Sequence, residues 1–161
     1  MTVKKNLSSL IKNRTTKMEK CTRTQILNIV LEELVKYNKL RSCVITDEDG
    51  LVLAEVIHPR ANREYLSAAS GLGGEFIDRF SDILQIGKPH FNYLETSNSH
   101  VWIKKIIIPQ TNDKLILLAI KDTSFMDKLS KKTLNFLGKT AINMIESIDI
   151  VTSWIIKACK D

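Results

Sequence analysis

The chain has 161 residues, is 43% hydrophobic and 26% charged, and carries a formal net charge of +6. This is the profile of one globular domain able to bury its own core, and no apolar run approaches the ~18 residues of a membrane span. Its three cysteines, Cys21, Cys43 and Cys159, are odd in number and far apart, which excludes a disulfide framework and a paired-cysteine zinc site and fits a reducing, cytoplasmic setting.

Residues 1–23 hold seven basic residues (Lys4, Lys5, Lys12, Arg14, Lys17, Lys20, Arg23) and one acid, Glu19, so they carry the whole +6 excess. Residues 24–161 balance at 17 against 17. A nucleic-acid-binding fold carries its positive face on the folded body, so no nucleic-acid partner is expected. The segment has no apolar signal core, and Thr2 stands where myristoylation needs a glycine. It reads as a basic N-terminal tail. The favoured form is a disordered, solubilising leader. The alternative is an anchor in which Leu7, Leu10 and Ile11 rest on an anionic membrane or an acidic partner, peripheral to a membrane.

Thr22-Arg23-Thr24-Gln25 has the spacing of a capping box. ILNIVLEELVKYNKL follows, with Gln25, Asn28, Glu32 and Lys36 at helical spacing in an otherwise apolar run. This predicts an amphipathic helix ending near Asn38. Arg41 to Ile57 then reads as a hairpin turning at Asp49-Gly50. The acidic cluster Asp47-Glu48-Asp49 does not make a calcium loop. With Gly50 at loop position 6, Ile45 and Val56 fall where oxygen ligands belong.

Asn62 can cap a helix running to about Leu84, in which Tyr65, Ala69, Leu72, Phe76, Phe80 and Ile83 form one apolar stripe. Three of the six glycines sit inside it, in LSAASGLGGEF. No Lys-Ser/Thr follows them, and Phe76 stands where a third dinucleotide-loop glycine belongs, so neither phosphate-binding pattern fits. Ser67, Ser70, Gly71 and Gly74 recur at i, i+3, i+4, i+7. Such a strip of minimal side chains lets another backbone come close, and a helix–helix contact is expected to use it. The alternative is that Gly73 and Gly74 break the helix in two.

Gly87-Lys88-Pro89 predicts a turn. Three strands are expected after it, His90 to Glu95, Val101 to Ile108 and Lys114 to Lys121. LILLAI, apolar throughout, suits a central strand buried on both faces. The first of the three, with Phe91 and Tyr93 on one face, suits an edge. A last helix is capped by Thr123 or Ser124, with Asp127 in its first turn if Ser124 is the cap, and runs on the order of 30 residues along Leu134, Leu137, Ala141, Met144, Ile148, Val151 and Ile155. Its end, with Trp154, Ile155 and Ile156, is a candidate contact.

These elements make an α+β fold: a five-stranded, mostly antiparallel sheet between helices, in the order α-β-β-α-β-β-β-α. From Thr24 to Ile148 the sequence resembles the roadblock/dynein light chain family. The resemblance lies in the apolar first helix, the hairpin VITDEDGLVLAEV, the small-residue helix YLSAASGLGGEF, and DKLILLAIKDTS leading into a final helix. The expected domains are a roadblock-like domain over 24–148, flanked by a basic tail over 1–23 and a C-terminal helical extension over 149–161, both of which depart from the family pattern and inherit nothing from it.

The resemblance implies a dimer, with itself or with a paralogous roadblock subunit. Middle helices pack antiparallel across a two-fold axis and third strands pair edge to edge. The interface would comprise Ser67, Ser70, Gly71, Gly74, Phe91 and Tyr93. It also implies a scaffold or regulator of a Ras-like small GTPase. A membrane-recruited adaptor or motor-complex light chain without GTPase regulation stands as the alternative. Arg60, Arg63 and Trp154 are the candidate contacts to a further partner, with solvated helix-start residues as the plainer reading of the arginines. No catalytic residue, metal site or cofactor is expected. His58, His90 and His100 fall in separate elements, and the paired carboxylates are explained by a turn.

Overall fold

Leu7 and Ile11, one helical turn apart, decide where the N-terminal residues go. In the computed structural model, which describes residues 3–17, 21–85, 87, 89, 91–123 and 134–159, Val3–Thr16 forms helix α1. Leu7 and Ile11 are fully buried in the main core. Helix α2, Arg23–Asn38, opens with the expected box: Gln25 N donates to Thr22 Oγ1 at 3.3 Å, and Thr22 N donates to Gln25 Oε1 at 2.8 Å. It stops where Lys39 turns left-handed at φ 54°.

The basic tail is therefore not a separate leader over its described part. Burying an aliphatic side chain is worth about 2 kcal/mol, and α1 buries two. Arg14 fixes the register. Its Nη1 donates to Glu33 Oε1 at 2.9 Å and its Nη2 to Glu32 Oε2 at 2.7 Å, both on α2. These carboxylates hold the Arg14 guanidinium above its ordinary range, chiefly through its hydrogen bond to Glu32. A charge count by segment cannot see this cross-helix neutralisation.

Five strands follow from alternation and turn chemistry. They are β1 (Ser42–Asp47), β2 (Val52–Val56), β3 (Asn92–Glu95), β4 (Ser99–Ile107) and β5 (Lys114–Asp122). The sheet order is β2-β1-β5-β4-β3, with every pairing antiparallel. The β1–β2 turn is held by Asp47, whose Oδ1 accepts from Asp49 N at 3.1 Å and Leu51 N at 2.8 Å. Of the two turn residues only Gly50, at φ 83°, takes the left-handed region. The apolar strand β5 lies in the middle of the sheet with Leu115 to Ala119 buried, and β3 is an edge, both as expected. The expected strand start at His90 lies outside the described residues.

Helix α3, Arg63–Leu84, is capped by Asn62, whose side chain accepts from Tyr65 N at 3.2 Å. The last helix, α4, spans Leu134–Ala158 and continues past Ile148 without a break; the expected cap at Ser124 and the Asp127 beside it lie outside the described residues. Alternation along the strands divides the core. Cys43, Ile45, Leu115, Leu117 and Trp102 face the layer of α1, α2 and α4. Val44, Ile103, Ile116 and Leu118 face α3 with Ile77. The fold is thus the expected α+β sandwich with one more helix in front.

Candidate functional site

Helix α3 turns two unlike faces outward and inward. Ser70, Gly74, Ile77 and Ser81 are buried against the sheet. The large apolar residues are on the other side: Tyr65, Leu72, Phe76 and Ile83 are 75%, 66%, 65% and 77% exposed. The reason is steric. The sheet beneath α3 carries Ile103 and Ile116, so the helix can seat only where its own side chains are small.

This corrects the expected interface. All four residues of the small strip are engaged by their own chain. Ser67 Oγ donates to Gly50 O at 2.6 Å, and the Ser70 and Thr46 hydroxyls share a buried hydrogen bond of 2.8 Å. A Cβ on Gly71 would lie 3.2 Å from Gly50 Cα, and a Cβ on Gly74 would strike Ile116 Cδ1. Gly73 likewise sits over Ile103, and α3 is one unbroken helix despite its glycines. Close backbone approach is the right physics for the strip, but the backbone approached is the β1–β2 hairpin.

The surface left open is the apolar stripe itself. Phe76 and Phe80 stack at 5.7 Å between ring centroids and 23° between planes. Beside them α3 covers β1, β5 and part of β4, and a groove of about 610 Å³ runs between the helix and the outer strands. Leu72, Phe76 and Phe80 form one wall, Val101 and Ile103 the floor, and Leu94 of edge strand β3 the far side. A contiguous apolar face beside an unpaired strand edge is the kind of patch that soluble chains reserve for association. The sequence showed the stripe residues as one apolar stripe of the helix. It gave no sign of Leu94, because which face of β3 meets α3 follows from its pairing with Val101.

Phe91 and Tyr93 lie on the other side of the sheet from Leu94. Phe91 packs at the margin of the main core. The Tyr93 ring stacks with His100 and tilts against Trp102, and its hydroxyl shares a 2.6 Å hydrogen bond with His100 Nδ1. Burial first, then the Glu95 carboxylate, pushes the Tyr93 phenol above its ordinary range. Tyr93 still belongs to the edge strand, so its backbone is available to a partner strand.

Arg60 and Arg63 sit together at the start of α3, both exposed. Arg63 Nε donates to Glu55 Oε2 at 2.7 Å, so that guanidinium is already paired. Trp154 is on α4, half-buried, with the Lys157 ammonium 5.1 Å from its ring centroid. The sheet stands between it and the two arginines. Among the described residues no group of three His, Cys, Asp or Glu is placed to hold a metal ion, and no helix is long and apolar enough to cross a membrane.

No family model matches the sequence, and no curated protein matches it. Solved structures do match in fold. Myxococcus xanthus MglB aligns at TM-score 0.58 and 12% identity, covering 79% of this chain and 85% of that one. A structure of MglB with tetrameric arrangement aligns at TM-score 0.59 and 13% identity over 86% and 94% of the two chains. The gliding protein MglB from Thermus thermophilus gives TM-score 0.59 and 13% identity over 84% and 92%. At such identities the likeness is one of fold, and it bears out the roadblock resemblance drawn from the sequence at that level.

Proposed function

We propose that this chain is a non-enzymatic subunit of a two-fold dimer, built on α3 and the β3 edge, whose composite surface binds a Ras-like small GTPase and scaffolds or regulates it. The observation that carries the dimer is the exposed stripe Tyr65, Leu72, Phe76, Phe80 and Ile83 beside the open groove at β3. A two-fold contact uses one patch twice, so the patch must complement itself. A ridge of aromatic and aliphatic side chains next to a groove of like apolar chemistry meets that condition: the α3 of one subunit fills the groove of the other. The sister β3 strands then pair through the backbone of Tyr93 and its neighbours, which removes the open edge.

The GTPase is inferred from the roadblock resemblance and from the fold shared with MglB, an argument by analogy. A platform that acts without an arginine finger shifts the populations of the GTPase switch loops, and the pairing of Arg63 with Glu55 supports that route over a finger at Arg63. Against the membrane-adaptor alternative, two of the three apolar residues of its tail anchor, Leu7 and Ile11, are buried between helices, while Leu10 stays exposed.

The test has two steps. Sedimentation at micromolar concentration is expected to give the dimer mass. Titration with Ras-like GTPases of the same genome, loaded with GDP or a non-hydrolysable GTP analogue, is expected to show binding that depends on the nucleotide. A monomer would remove the platform, and a dimer indifferent to every such GTPase would remove the regulator.

A further inference from the structure

The trough along α2 and α4 is filled by helix α1, which precedes α2 in the chain and packs on both. Leu7, Ile11 and Arg14 of α1 recur at i, i+4, i+7 and so share one face. Leu7 and Ile11 enter the cluster that holds Leu31, Leu34, Val151 and Ile155. Arg14 reaches Glu32 and Glu33. Helix α1 packs on α2 and α4 and belongs to no strand ladder, so its departure would break no sheet pairing and would leave an apolar trough with two carboxylates at its rim.

We propose that this trough is a helix-receiving site closed in cis by α1, and that its trans ligand is a basic amphipathic helix with two aliphatic side chains one turn apart and a guanidinium three residues after the second. Helix-in-groove recognition reads i, i+4, i+7 anchors of this kind, and α1 is the template for them. The acid pair sets the sign of the ligand. Glu33 is 6% exposed, and a buried carboxylate without a cation is costly. An occupant bearing an acid in place of Arg14 is therefore rejected, while an empty trough returns Glu33 to water. Exchange is open to α1 because a helix of 14 residues is marginal by itself. Its order depends on the groove, which places it among the segments that open before the whole fold does.

Native-state hydrogen exchange on the full-length chain reads this directly. The α1 amides are expected to exchange at least about tenfold faster than those of α2 and α4; equal protection would make α1 an integral core helix and overturn the proposal. The second measurement uses the full-length double variant Leu7→Ser, Ile11→Ser and a fluorescent peptide of residues 1–20. Anisotropy is expected to show binding to the variant, at least about tenfold weaker binding to the wild type, and a loss of about tenfold or more for a peptide with Arg14→Glu. A folded variant that ignores the peptide, a peptide indifferent to the charge change, or a variant that fails to fold would each overturn it.

Discussion

Gly50 and Gly71 meet backbone to backbone. A Cβ added to Gly71 would lie 3.2 Å from Gly50 Cα and 3.3 Å from Gly50 N, and one added to Gly50 would lie 3.3 Å from Ser67 O. The close approach that the small residues of α3 announce is therefore made within the subunit.

Gly71→Leu is accordingly expected to destabilise the subunit itself, by about 1–3 kcal/mol from overpacking against backbone that has little room to move. Urea unfolding measures it at concentrations where association is held constant. Unchanged unfolding with a lost dimer would mean that the strip faces a partner after all.

Gly74 differs, because the atom that a Cβ would meet is the end of the Ile116 side chain. Gly74→Ala is expected to cost stability alone, and Ile116→Val, which removes that methyl, is expected to recover part of the loss. A double-mutant cycle should give a coupling of about 0.5–1.5 kcal/mol; simple additivity would contradict the contact.

The buried hydroxyl pair Thr46–Ser70 ties β1 to α3. Ser70→Ala leaves Thr46 Oγ1 without its partner and is expected to cost about 1–2 kcal/mol. Adding Thr46→Val should cost less than the sum of the two single changes, as read by thermal or urea unfolding.

On the open face the expectation reverses. Phe76 is mostly exposed in the subunit, so Phe76→Glu should change subunit stability by no more than about 0.5 kcal/mol. It should nevertheless convert the proposed dimer into monomer, as seen by sedimentation. A variant that stays dimeric moves the interface away from α3.

Two side chains report through their ionisation. The raised pKa of the Tyr93 phenol means that the folded state holds its proton more tightly than the unfolded chain. The associated stability is complete below the ordinary tyrosine pKa and is lost as pH rises through the folded-state value. A late phenolate absorbance step that disappears in Tyr93→Phe is expected. Burial likewise pushes the Cys43 thiol up, away from the reactive thiolate. A thiol reagent at neutral pH should leave Cys43 unmodified until the protein unfolds.

Much of the fold was legible because its signals are local. The Thr22–Gln25 box, the Asn62 cap, the Asp-Gly turn and the all-apolar β5 each act within a few residues, and each stands where the sequence put it. The site was legible in composition but not in direction. Periodicity shows that α3 has a bulky stripe and a bare strip, yet both look like contact surfaces. Which one meets the sheet depends on Ile103 and Ile116, some 30 to 40 residues further along. The placement of α1 depends on Glu32 and Glu33, and only assembled geometry brings them to Arg14.

The insertion of β5 between β1 and β4 also sets the timetable of synthesis. Ser42 to Asp47 hydrogen-bonds across its inner side to Leu115 through Ile120, so the hairpin that leaves the ribosome early waits about 70 residues for its neighbour. Until then an oily strand shows a bare flank. A nascent chain halted in β4 is a sticky half-product that needs a chaperone's cover, and residue 122 must clear the exit tunnel before the sheet can close.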